Sequence, residues 1–174
     1  ERGLLAGLPV GIKDLNPVAG VRTTFGSPIF ADNVPDVSDL MVQNIEAHGG
    51  IVVGMTNTPE FGAGANTFNE VFGETRNPWN PALNAAGSSG GSAGALATGI
   101  VSLASGSDLG GSLRTPASFC SVVGFRPSPG RVANGPGEQR FNDLSVEGPM
   151  ARNVLDAALF LDAMSGWRVE DPVA

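Results

Sequence analysis

The chain has 174 residues, 41% of them hydrophobic, and a formal net charge of -7. This length and apolar content suit one domain with a sizeable core and exclude a disordered tail. The acidic balance excludes a nucleic-acid surface, which needs clustered Lys and Arg. No apolar run approaches the roughly 20 residues that span a bilayer, and no basic-then-apolar leader is read at the start, so a cytoplasmic protein with no membrane partner is expected. The 25 Gly and 13 Pro point to tight turns and close backbone approaches. Opening at Glu1 without Met, directly on an ordered-looking stretch, the chain reads as a segment of something longer.

Residues 8–13 form an apolar run bounded by Pro and Asp, which predicts a buried strand ending at Lys13, the single lysine among ten basic residues. A helix follows, with Ser38 or Asp36 as cap, Leu40, Met41, Asn44, Ile45 and His48 at helical spacing, and a stop at Gly49-Gly50. Ile51-Val52-Val53 is β-branched and predicts a strand buried on both faces. Asn57, Thr58 and Glu60 read as a capped turn. The alternation continues with a Gly-rich turn, a small-residue helix in GGSAGALATG, a strand in IVSLASGSD, a second Gly turn, a short helix from Ser112 to Phe119 and a strand from Val122 to Phe125. Residues 126–143 read as a loop or hairpin. NVLDAALFLDAMSG predicts an amphipathic helix with Asn153 as cap and Val154, Ala157, Ala158 and Leu161 inward. The fold class expected is α/β, a mixed, mostly parallel central sheet flanked by helices, in one domain over residues 1–174.

Cys120, among small and apolar neighbours, reads as a buried structural thiol, and Trp79 and Trp167 as packing residues. Two Gly/Ser segments carry more chemistry: Ala86-Gly87-Ser88-Ser89-Gly90-Gly91-Ser92 and Ser107-Asp108-Leu109-Gly110-Gly111-Ser112-Leu113-Arg114. Glycines where a turn enters a helix let backbone N–H groups converge beside the positive end of the helix dipole, a nest for an anion. The anion is either a phosphate or the oxyanion formed when a nucleophile attacks a carbonyl. The amides of Leu109, Gly110, Gly111 and Ser112 are placed to line such a hole, with the Ser112 hydroxyl as nucleophile.

Serine needs a base, and the only histidine, His48, falls in the last turn of a helix where it complements the dipole. Lys13 is the remaining candidate. Burial disfavours its ammonium and can bring it toward neutrality. Pairing with Asp14 would instead keep Lys13 charged and structural, and its spacing alone leaves both readings open.

Gly11-Ile12-Lys13-Asp14, Gly87-Ser88-Ser89-Gly90-Gly91-Ser92 and Asp108-Leu109-Gly110-Gly111-Ser112-Leu113-Arg114-Thr115-Pro116, in this order, resemble the core of the amidase signature family. The resemblance extends over almost the whole chain, through Thr75-Arg76-Asn77-Pro78-Trp79 and Glu147-Gly148-Pro149-Met150-Ala151-Arg152. It implies hydrolysis of a linear carboxylic amide through a serine acyl-enzyme, with Ser112 as nucleophile, Lys13 as neutral base and Ser88 as relay after a cis Gly87–Ser88 peptide. Ser89 and Ser92 would brace these groups, and Arg114 would pair with Asp108 to hold the oxyanion turn. No cofactor and no metal are implied.

Three alternatives stand beside this reading: a glutaminase like the family's glutamine-dependent amidotransferase subunits, a catalytically incompetent fragment or binding module, and a phosphate-binding small-molecule kinase. Leu15 and Arg126-Pro127-Ser128-Pro129 depart from the amidotransferase pattern and favour a stand-alone hydrolase. Ala86 stands where the family often has Gly. Complete members are far longer, so a homodimer or the remainder of a longer chain is expected to cover apolar surface.

Overall fold

The computed structural model describes residues 3–135 and 141–174. In chain order the elements are β1 (Pro9–Lys13), α1 (Leu40–Ala47), β2 (Ile51–Thr56), β3 (Phe68–Asn69), β4 (Gly73–Glu74), α2 (Gly90–Ala97), β5 (Leu103–Asp108), α3 (Arg114–Cys120), β6 (Val123–Gly124), β7 (Val146–Ala151) and α4 (Val154–Met164). Five strands form one sheet in the order β2-β1-β5-β7-β6, and β3 and β4 make a separate small hairpin. β1 pairs parallel with β2 and β5, whereas β7 runs antiparallel to both β5 and β6. The sheet is therefore mixed, as expected, with its parallel and antiparallel pairings equal in number. The antiparallel half depends on β7, a strand the sequence does not announce because Gly148 and Pro149 interrupt its signal.

Alternation along the strands sorts side chains into two cores. Val10, Ile12 and Leu103 pack on one face with Met41 and Ile45 of α1 and Phe160 and Met164 of α4. Ala104 and Met150 pack on the other with Ala93 and Leu96 of α2, Leu113 just before α3, and Ala117 and Cys120 of α3. The small residues of α2 let it lie close to the backbone: a Cβ added at Gly91 would stand 2.2 Å from Asn57 N. Arg152 ties the far end of this layer, donating from Nη1 to the carbonyls of Leu96 and Val101.

Several local expectations are corrected. Asp39, rather than Ser38 or Asp36, caps α1 by accepting from Met41 N, and the Ser38 hydroxyl instead accepts from Ala19 N. β2 is an edge strand, and its Ile51 and Val53 are exposed rather than buried. In α4, Asn153 is the cap, and of the residues expected inward Ala157 is buried and Leu161 packs half-buried against the core, with Phe160, Ala163 and Met164 completing the stripe; Val154 and Ala158 face outward because Phe160 and Met164 set the rotation. Trp79 and Trp167 are exposed, not packed; the Trp79 indole donates to Cys120 O. Cys120 is buried and free, and burial pushes its thiol up. The loop expected over residues 126–143 holds no helix or strand in its described parts, and its positions 136–140 lie outside the described residues.

Candidate active site

The parallel strands β1, β2 and β5 all end on one side of the sheet, where α/β proteins place their ligands. Lys13 is the last residue of β1 and is completely buried. Its Nζ lies 2.6 Å from Ser88 Oγ and 2.8 Å from Ser107 Oγ, and its backbone N–H donates to Ser105 Oγ at 2.9 Å. Asp14 does not pair with it: that carboxylate is taken by the amide and hydroxyl of Thr24. Burial lowers the Lys13 pKa, against the opposing charges of Glu147 and Asp108, from 10.5 to about 7. An amine at that value is substantially unprotonated near neutral pH and carries a lone pair able to accept the Ser88 hydroxyl proton.

The Gly87–Ser88 peptide is cis. Thr67 braces this turn, donating from Oγ1 to Ala86 O and accepting from Gly90 N. Ala86 itself has φ of 58°, in the left-handed region where glycine is the ordinary occupant. Ser89 N donates to Ser112 O at 3.3 Å, which joins the two Gly/Ser segments. Ser89 Oγ accepts from Ser107 N, and Ser92 Oγ donates to Ser105 O while sharing a hydrogen bond with Thr56 Oγ1. Both hydroxyls therefore stitch the start of α2 to β5, directly beneath the lysine contacts.

Asp108 organises the second segment. Its carboxylate accepts from Gly111 N at 2.7 Å and Leu113 N at 3.2 Å, and receives Arg114 through Nε at 2.9 Å and Nη2 at 3.0 Å. Arg126 stands 3.4 Å away as a second cation. Burial would raise the Asp108 pKa, but the Arg114 fork and the two amides outweigh it and hold the carboxyl below its usual range. Because the Gly111 amide is committed to Asp108, the expected four-amide hole changes. The amides of Leu109, Gly110 and Ser112 have no acceptor among the described residues. Ser112 is half-buried, its hydroxyl making no hydrogen bond among the described residues.

Other candidates lie elsewhere. His48 caps the end of α1, with Nδ1 2.9 Å from Asn44 O. Asn57 bonds Thr58, Asn69 and Thr75, and Glu60 accepts from Ser27, so these residues hold the turn. The residues not anticipated are Ser105, Ser107, Glu147, Asn16 and Asp39. Burial and the neighbouring Asp39 raise the Glu147 pKa, with Lys13 and Asn16 opposing, and burial raises that of Asp39. Alternating hydroxyls in the otherwise apolar LASGSD were a readable signal for Ser105 and Ser107. Nothing local in the sequence marks Asn16 or Asp39, and Glu147 stands out only as the first residue of a segment that carries the family resemblance. No group of three or more His, Cys, Asp or Glu among the described residues could hold a metal, and no described helix is long and apolar enough to cross a membrane.

With this arrangement in view, comparison with known proteins gives the class. The chain matches the Amidase family over residues 1–173, and it belongs to the amidase signature family. It is 44% identical over 171 residues to a glutamyl-tRNA(Gln) amidotransferase subunit of Thermosynechococcus vestitus, covering 98% of this chain and 36% of that one. Among solved structures it resembles a bacterial aryl acylamidase of the amidase signature family, with TM-score 0.92 and 39% identity, over 100% of this chain and 37% of that one. The native peptide amidase of Stenotrophomonas maltophilia gives TM-score 0.89 and 33% identity, over 99% and 36%. The chain thus spans little more than a third of the length of the relatives it matches.

Proposed function

We propose that the chain carries the catalytic core of an amidase that cleaves a carboxylic amide through a serine acyl-enzyme. The observation that supports this best is the fully buried Lys13 amine 2.6 Å from Ser88 Oγ. A lysine in that position has no solvent role, and its lowered pKa makes it a base.

In this reading the Ser112 hydroxyl attacks the amide carbonyl carbon and passes its proton to Ser88, whose own proton goes to the Lys13 lone pair. The carbonyl oxygen becomes an oxyanion facing the amides of Leu109, Gly110 and Ser112. Collapse breaks the C–N bond, and Ser88 protonates the departing nitrogen while Lys13 restores the Ser88 proton. An amide needs this return of the proton because an amide anion leaves poorly. Water, deprotonated by the same relay, then cleaves the ester to free the acid and Ser112.

A fluorophosphonate probe tests the assignment. It should label Ser112, labelling should vanish in Ser112→Ala, and Lys13→Ala should slow it by about 100-fold or more. Labelling of the folded chain that survives Ser112→Ala places the nucleophile elsewhere and ends the proposal. A second reading, release of ammonia from glutamine, draws on the likeness to the glutamyl-tRNA(Gln) amidotransferase of T. vestitus. Ammonia release from glutamine, compared with a panel of aryl and alkyl amides, separates the two.

A further inference from the structure

A buried acidic cluster lies behind Lys13, and the proposed chemistry does not use it. Glu147 of β7 sits directly across from Ser107 of β5. Opposite residues of an antiparallel pair point to the same face with Cβ atoms about 5 Å apart. Ser107 Oγ takes its hydrogen bond from Lys13 Nζ at 2.8 Å, so Ser107 bridges the lysine and the strand position of Glu147. Glu147 is 6% exposed, and neither its Oε2 nor Asn16 Oδ1 has a hydrogen-bond partner among the described residues. Beyond Asn16 lies Asp39, whose Oδ2 accepts from Asn16 Nδ2 at 3.3 Å. Acceptors buried in this way are satisfied only by a donor, and a proton on Glu147 turns its carboxyl into one.

We propose that Glu147 is a positioning residue that shares a proton with Lys13, so that the pair, rather than the lysine alone, sets the pH at which the amine is free. This rests on the reading of Lys13 as the base. Two charge-neutral arrangements compete: amine with carboxylic acid, and ammonium with carboxylate. Only the first leaves a lone pair for Ser88. The groups that face the pair come from every packed element: Lys13 from β1, Asn16 just after it, Asp39 at the start of α1, Asp108 at the end of β5 and Glu147 on β7. Asp108 is held anionic by Arg114 and Arg126 and contributes a constant charge. Burial first, and then the neighbouring Asp39, disfavour ionisation of Glu147 and thereby protect the amine form.

The test exploits the single lysine of the chain. With 13Cε-labelled lysine, one resonance reports Lys13, and its titration should show two steps in the wild-type chain. Glu147→Gln keeps the shape but cannot ionise; it should leave one step, moved down by about one pH unit or more. Asp39→Asn retains a capping side chain, lets Glu147 ionise earlier and should move Lys13 up. A single wild-type step, or a midpoint in folded Glu147→Gln that is unmoved or raised, overturns the proposal. If Glu147→Gln fails to fold, Asp39→Asn decides: upward supports, unmoved or downward overturns. Because the readout is a titration rather than turnover, it is separate from the amidase reading. Normal Ser112 labelling with an unmoved Lys13 removes only Glu147, whereas absent labelling removes the amidase reading itself.

Discussion

Replacing Lys13 with Met should change how stability depends on pH, because a buried amine imposes a definite sign. In the folded chain Lys13 loses its proton at about 7, whereas the value for an unconstrained side chain is 10.5. Between those two values the unfolded chain binds the extra proton, so stability rises with pH, and the penalty is full below about 7 and gone above about 10.5. At about 1.4 kcal/mol per unit, the penalty amounts to roughly 5 kcal/mol. Glu147 and Asp39 are shifted upward and act in the opposite sense at lower pH, so the clean window is about pH 8 to about pH 10. Methionine fills nearly the same volume without a charge. Urea unfolding across that window should show wild type gaining on Lys13→Met by about 1.4 kcal/mol per pH unit, roughly 3 kcal/mol in all. Parallel stability curves for the two proteins would refute the buried neutral amine, and with it the assignment of Lys13 as a base.

The remaining predictions concern the turns around it. Labelling of Ser112 by the fluorophosphonate should fall about tenfold per unit as pH drops below the Lys13 value of about 7; a rate flat through that range argues for another base. Asp108→Ala removes the acceptor for the Gly111 and Leu113 amides and should cost about 2–4 kcal/mol in urea unfolding as well as slowing acylation. Gly91→Ala drives a Cβ to 2.2 Å from Asn57 N and should cost about 1–3 kcal/mol, read as a lowered thermal midpoint. Asn153→Ala, which loses the side-chain cap on Asp156 N, should cost about 1 kcal/mol with no change in labelling.

Much of the fold is legible in the sequence because its signals are local. The apolar run into Lys13, the Gly49-Gly50 stop after α1 and the Asn153 cap of α4 each act through residues within a turn of one another. What the sequence hides depends on neighbours far along the chain. β7 carries Gly148 and Pro149 in its middle, and its pairing with all six residues of β5 and with β6 makes it a strand. A continuous β-branched run such as that of β2 looks alike at the centre and at the edge of a sheet, and Ile51 and Val53 lie on an edge strand. In α4 the inward stripe is rotated from the one the spacing predicts, since Val154 and Phe160 both offer apolar surface and the facing Met41 and Ile45 select the second.

The site divides along the same line. Lys13, Ser88 and Ser112 sit in short motifs whose glycines and hydroxyls announce a turn with a task, and the bidentate Arg114–Asp108 contact spans only one turn of chain. The electrostatics of the lysine are another matter. Glu147 lies in a strand that the sequence does not announce, and Asp39 caps a helix whose cap the sequence places at Ser38 or Asp36. Glu147 acts on Lys13 because β5 separates β1 from β7 by a single strand, and Asp39 acts on Glu147 because α1 starts under the same corner. Sequence spacing cannot show that a carboxyl 134 positions downstream reaches the lysine's field. A motif can therefore name the base while leaving open what sets its pKa, since that is fixed by long-range sheet register.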